Sequence, residues 1–441
     1  MKTMRTIAGW LAALLFLTAA FSGRALAAGA PVTAVLTGGE AVTFPEGWPV
    51  PPEITAPSAI VADADTGAIL YAKDPDRTCD PGGMAKLMTA LLTLEDLPLT
   101  EVITFSNKAI QSLPAGATHV AIKRDEQLSV RDCLYGLLLP GANEIAFMLA
   151  ERIAGDAGSF AVKMNSRAAE LGCYNSQFSG PTGLQVEPAV TTAYDLLLLF
   201  EACLAEPAFT PIDGASSYTI QPTNKTGDSR PMANAFLYCR RGSDYYDARV
   251  TAGRIGSGAD GGVSLVACAG DGTRRVIVVL TGATYEAAYG EGRILIDFAL
   301  NSFVNVDASQ LENRFLATGD AGNILGLPRP PAGAQSVPEY TYLTMPARGD
   351  ETVFAPTLRE VASGTRVIYT YEGVPAGTAL LRSSAANYQA EYRHLAASET
   401  LPIRFVSLWI PVLAGAGLLM VILLVVLLVQ RHKRRGRFSM R

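Results

Sequence analysis

Strand-like sequence stands on both sides of a long helix-like block in this chain, and that separation limits the folds open to it. Ser58–Asp63 and Ala68–Ala72 are short apolar runs around Asp65-Thr66-Gly67, which predicts two strands joined by a turn. Helix-like sequence then runs through Met84–Leu94, Val130–Leu139, Asn143–Ile153, Phe160–Leu171 and Thr192–Cys203. Strand-like sequence returns at Val263–Ala269 and Arg275–Leu280, and Tyr289–Phe303 predicts a closing helix. Early and late strands bracketing helices predict an α+β fold, one antiparallel sheet with a helical layer or cluster.

Composition changes after residue 303. Leu327–Val337 holds three prolines and reads as a loop. Tyr340–Leu343, Thr352–Phe354, Val367–Thr370 and Ala379–Leu381 are short strand candidates separated by Gly, Pro and Asp, which predicts a small all-β domain over 304–398. Its tyrosines, Tyr340, Tyr342, Tyr369 and Tyr371, are expected mainly to fill its interior.

The two ends carry export and anchoring patterns. A basic start, an apolar run from Ile7 to Ala20 and the triplet Ala25-Leu26-Ala27 predict a signal peptide over 1–27, followed by a Gly/Pro-rich leader over 28–55. From Phe405 to Val429 no residue is charged. A bilayer core needs about 20 apolar helical residues, so this run predicts one C-terminal transmembrane helix. The Arg431–Arg441 stretch is strongly basic, so 430–441 is expected inside and the bulk of the chain outside a single-pass cell-membrane anchor.

Charge and residue counts exclude several chemistries. Formal net charge is −5, and nine of the 36 basic residues fall in the first 27 and last 12 positions. The stretch between is more acidic still, which argues against nucleic acid as a partner. Three histidines, His119, His394 and His432, leave no material for a histidine metal cluster or a Ser-His-Asp triad, so no metal and no cofactor is expected. Cys79, Cys133, Cys173, Cys203, Cys239 and Cys268 permit disulfides but lack the density of a stapled scaffold. Cys133 and Cys203 sit among apolar residues and read as small buried side chains.

Five segments then stand in a suggestive order: Ser58–Lys73 (SAIVADADTGAILYAK), Pro81–Ala90 (PGGMAKLMTA), Leu138–Glu144 (LLPGANE), Thr191–Asp195 (TTAYD) and Val263–Ala267 (VSLVA). Their order and distances resemble those of the D-alanyl-D-alanine carboxypeptidases, the low-molecular-weight penicillin-binding proteins, over about 56–303. The resemblance implies a β-lactamase/transpeptidase-like domain there, and a β-domain and membrane anchor are also expected of this group.

In that family three elements line one cleft. The S-x-x-K element puts a serine nucleophile and its lysine base on one helix face. Here it reads Gly83-Met84-Ala85-Lys86, so the lysine is kept and the nucleophile position is glycine. The S-x-N element reads Gly141-Ala142-Asn143, keeping the asparagine and losing the hydroxyl. Taken alone, Pro140–Glu144 is a turn with Asn143 capping a helix. The K-T-G element, which attracts the substrate carboxylate, falls either on Arg254-Ile255-Gly256 or, two residues on, on Gly256-Ser257-Gly258. The first register keeps a cation and the second a hydroxyl. Lys86 and Asn143 are thus the retained catalytic positions, and Arg254 and Ser257 the substrate-binding candidates.

Glycine cannot form an acyl-enzyme, so the expected function is a catalytically impaired or inactive relative that binds a peptidoglycan stem peptide or an envelope partner. An active serine-type carboxypeptidase, with Ser257 as the substitute nucleophile to test, and a purely structural envelope protein are the alternatives.

Overall fold

The computed structural model describes residues 44–45, 48–184, 188–309, 311, 335–361 and 364–383. The expected signal peptide, residues 28–43 of the leader, the apolar run 405–429 and the basic tail lie outside them.

The central sheet has five antiparallel strands: β1 (Ser58–Asp63), β2 (Ile69–Lys73), β3 (Val250–Ser257), β4 (Val263–Gly270) and β5 (Arg275–Ala283). Their order is β2-β1-β5-β4-β3, so β3 is an edge. The ladder from Ser58↔Thr281 to Asp63↔Val276 ties the start of the fold to its far end. Val266, Cys268, Ile277 and Val279 face one apolar core with Ile60 and Ala62, while Leu265, Ala267, Val276, Val278 and Leu280 face another with Ala59 and Val61. A sheet covered on both faces takes continuous apolar strands rather than alternating ones, which is how these runs read.

The first core is closed by helices α1 (Ala85–Asp96), α2 (Val130–Leu138), α3 (Asn143–Ala154), α4 (Ala157–Leu171) and α5 (Ala193–Ala205). Every residue of α1 from Ala85 to Thr93 is buried, so it is the central helix of the cluster. Side-chain caps set several starts: Ser129 accepts from Asp132 N before α2, Asp156 from Ser159 N before α4, and Thr192 from Asp195 N before α5. The second core is closed by α6 (Tyr285–Ser302).

Beyond α6, β6 (Phe303–Asp307) pairs with β7 (Tyr342–Pro346), and β8 (Phe354–Val361), β9 (Gly364–Tyr371) and β10 (Val374–Leu380) form a three-stranded sheet. Leu343, Val367, Tyr369 and Ala379 share its small core. A buried polar chain joins these strands to the central sheet. Thr66 Oγ1 meets Thr344 Oγ1 at 2.6 Å, Thr344 Oγ1 donates to Asn305 Oδ1 at 2.9 Å, and Asn305 Nδ2 donates to Asp63 Oδ2 at 3.0 Å. Of the four tyrosines expected inside, Tyr369 and Tyr371 are buried, whereas Tyr340 and Tyr342 are exposed. A separate unit contains the short antiparallel ladder of Gln335–Ser336 with Arg382–Ser383.

Two expectations need correction or refinement. No helix among the described residues is long and apolar enough to cross a membrane. The longest of them, α6, carries Glu286, Glu291, Arg293 and Asp297, a charge load that hydrocarbon does not take. Among the described residues the fold is α+β with no helix that could span a membrane, and neither the membrane anchor nor the single-pass cell-membrane localisation is carried forward. All six cysteines are free, with Cys133 and Cys203 fully buried.

Candidate active site

One cleft of about 280 Å³ is bordered by Gly83, Lys86, Gly141, Asn143, Arg254 and Ser257 together. Sequence positions as far apart as 83 and 257 thus converge where the start of α1, the α2–α3 turn and the edge strand β3 meet.

Gly83 lies in a single 3-10 turn, Gly82–Met84, that runs directly into α1. Three residues later Lys86 is 5% exposed, and its Nζ donates to Thr182 O at 2.8 Å. Burial lowers its pKa to about 7, and the positive charge of Arg254 adds to the effect. An amine with such a pKa is half neutral at physiological pH, which suits a proton acceptor. No hydroxyl stands at Gly83 to give it a proton.

Asn143 opens α3 but does not cap it. Ala142 is the N-cap and makes no side-chain cap bond. Asn143 is 2% exposed, and its Nδ2 donates to Thr118 O at 2.9 Å. A carbonyl partner fixes the orientation of the amide, so the other atom, Oδ1, is the buried acceptor without a partner. Its neighbour Glu144 accepts from Val120 N at 2.7 Å through Oε1, and burial raises its pKa.

Arg254 settles the local ladder of β3. It pairs with Val266 and Ile255 with Leu265, so the guanidinium leaves the sheet on the face shared with the helices. There Nε donates to Gly83 O at 3.1 Å, Nη1 to Leu138 O at 3.0 Å and Nη2 to Leu137 O at 3.3 Å. These contacts complete the end of α2. Leu139 N takes Tyr135 O, Ala142 N takes Gly136 O, Arg254 takes Leu137 O and Leu138 O, and Ala235 N takes Leu139 O. A helix C-terminus leaves such carbonyls orphaned and favours a cation beside them. Gly141, in the left-handed region at φ +80°, would place a Cβ 3.3 Å from Arg254 Nη2. The guanidinium therefore occupies the neighbourhood that a side chain at 141 would enter.

Asp213 was not singled out from the sequence. It is buried at the end of a short helix, Phe209–Asp213, and its Oδ2 accepts from Gly253 N at 2.6 Å. Burial raises its pKa to about 7, against the opposing pull of Arg254 and the Gly253 N–H. An aspartate directly after the mostly apolar stretch Ala208–Ile212 was the available signal. Thr118 and Thr182, which act through backbone carbonyls, carry no side-chain signature at all. Ser257, at the exposed end of β3, borders the cleft.

This geometry can be set beside known proteins. The model of the D-alanyl-D-alanine carboxypeptidase family matches residues 47–285, more than half of the chain. The chain belongs to that family. Among its relatives, the D-alanyl-D-alanine carboxypeptidase DacF of Bacillus subtilis (strain 168) is 29% identical over 252 residues, 56% of this chain and 63% of that protein. The chain thus spans less than two thirds of that carboxypeptidase. The crystal structure of penicillin binding protein 6B from Escherichia coli is similar at a TM-score of 0.58 and 23% identity, over 76% of this chain and 98% of that one, a likeness of fold alone. A D-alanyl-D-alanine carboxypeptidase structure from Mycobacterium tuberculosis H37Rv is 26% identical at a TM-score of 0.52, over 58% of this chain and 95% of that one.

Proposed function

We propose that this carboxypeptidase-family chain holds a peptidoglycan peptide in its cleft without hydrolysing it. The observation that carries the reading is glycine at position 83, where the S-x-x-K pattern needs the nucleophile, beside a buried Lys86 whose amine donates to the Thr182 carbonyl. Nucleophile and base act as a unit, so losing one removes most of the rate advantage. Glycine at 141 removes a second hydroxyl, and Ile255 cannot donate a hydrogen bond as threonine would. The cleft itself persists, bordered by Lys86 and Asn143, which supports binding rather than a purely structural role.

The test is incubation of the protein with a peptide ending in D-Ala-D-Ala, with released D-alanine measured against a no-protein blank and a serine-containing relative as positive control. No release from this chain, with binding of the peptide by titration calorimetry, is the expected result. Release abolished by Lys86→Ala would overturn it. Release also abolished by Ser257→Ala would transfer the nucleophile's role to the exposed hydroxyl that borders the cleft.

A further inference from the structure

Holding a peptide leaves the Lys86 amine without work. Lys86 is 5% exposed and borders the 280 Å³ cleft together with Gly83, one turn before it. Its Nζ donates to Thr182 O at 2.8 Å, and among the described residues it has no carboxylate partner. The charged group whose field reaches it is Arg254 from β3, a second cation. A buried ammonium beside a like charge, with no counter-ion, is driven towards the neutral amine, and its pKa falls to about 7. One N–H of that amine is held by the Thr182 carbonyl, so the lone pair points away from that oxygen.

A desolvated lysine next to another cation is a nucleophile for a carbonyl carbon. Leu138, Leu139, Phe236 and Ile255 border the same cleft. Apolar walls of this kind suit a short hydrocarbon chain and favour a reaction that expels water.

We infer that Lys86 captures a small apolar aldehyde in the cleft as an imine. The Nζ lone pair bonds to the carbonyl carbon, and the oxygen takes up a proton to give a carbinolamine. The C–O bond then breaks, and the oxygen leaves as water with the two amine protons. A C=N bond replaces C=O, and no oxidant or reductant is consumed. The inference goes beyond the peptide-holding reading and does not require it.

The experiment is reductive trapping of the full chain with propanal and cyanoborohydride, with propylated lysines located and timed by peptide mass mapping. Exposed Lys108 and Lys225 serve as internal references. An ordinary lysine is about one part in 2,500 neutral at pH 7, against about half for Lys86. Lower basicity gives back part of that advantage, so Lys86 is expected to react about tenfold or more faster than either reference at about pH 7. Above that pH its rate is expected to level off while those of the references keep rising, so its lead shrinks. Unfolding in urea is expected to abolish the lead. Propylation of Lys86 no faster than of Lys108 and Lys225 in the folded chain overturns the inference, as does a lead that survives in urea. Neither result touches the peptide-holding function, which calorimetry reads separately.

Discussion

A Cβ placed on Gly83 would meet only the Cα of Gly256, at 3.5 Å, which is ordinary contact. On Gly82 the same atom would lie 2.0 Å from Ser257 O, and the backbone there is left-handed at φ +44°. Gly83→Ser is therefore expected to fold with stability within about 1 kcal/mol of the parent. It is also expected to gain a penicillin adduct by intact mass, with Lys86 on the same helix face as its base. The parent is expected to gain none. Gly82→Ala is expected to lose about 2 kcal/mol or more by urea denaturation, through strain and backbone collision. Lys86 makes a separate prediction about pH. Its folded pKa lies below its unfolded one, so between about pH 7 and the ordinary lysine range the unfolded chain binds more protons. Stability from this group therefore rises with pH through that window, by about 1.4 kcal/mol per unit at most, and is flat below it. Urea midpoints for Lys86→Met against the parent are expected to show that component of the slope removed.

The edge strand, the end of α2 and the turn before α1 are held together by one side chain. Arg254→Met would take the guanidinium donor from the carbonyls of Gly83, Leu137 and Leu138, with an expected cost of about 3 kcal/mol by urea denaturation. Arg254→Lys is expected to recover little, because one ammonium does not reproduce a planar fork directed at three acceptors. Recovery by lysine to within about 1 kcal/mol would show that charge, not geometry, is what the site needs. The helices that carry the cleft were readable because their caps and apolar spacing are local: Val130–Leu139 was expected and Val130–Leu138 is found, and Asn143–Ile153 against Asn143–Ala154. The strands Val263–Ala269 and Arg275–Leu280 were readable for a different reason, since burial on both faces makes them continuous apolar runs. The edge strand was not. Gly253 is pinned by Asp213 and Arg254 by three carbonyls, all contacts from distant sequence. The direction of Arg254 likewise depended on the partner strand, because a register set by Val266 lies outside any local pattern. Asn143 was open to a capping role, and only the nearby Thr118 carbonyl decides what its amide does.

At the scale of the molecule, the central sheet and the strands after α6 share buried ties that make them one cooperative body. Trp48 donates to Leu70 O at 3.1 Å and rests its ring against Phe303 and Tyr371, and Thr344 stands 1% exposed between Thr66 and Asn305. Thr344→Val is expected to cost about 1–2 kcal/mol by orphaning its partners. In scanning calorimetry the whole transition is expected to move down together. A split into two transitions would show that the two sheets melt independently. The ladder between β1 and β5 has its own consequence for how the chain reaches this state. Ser58 must find Thr281, and none of the intervening helices can be laid on a finished sheet until it does. Closing a loop that long is slow. A ribosome that has released only the first 270 residues therefore holds two strand pairs, β1 with β2 and β3 with β4, and lacks the β5 strand that joins them, so the order of synthesis makes the last strand of the sheet to emerge the one that decides when it can close.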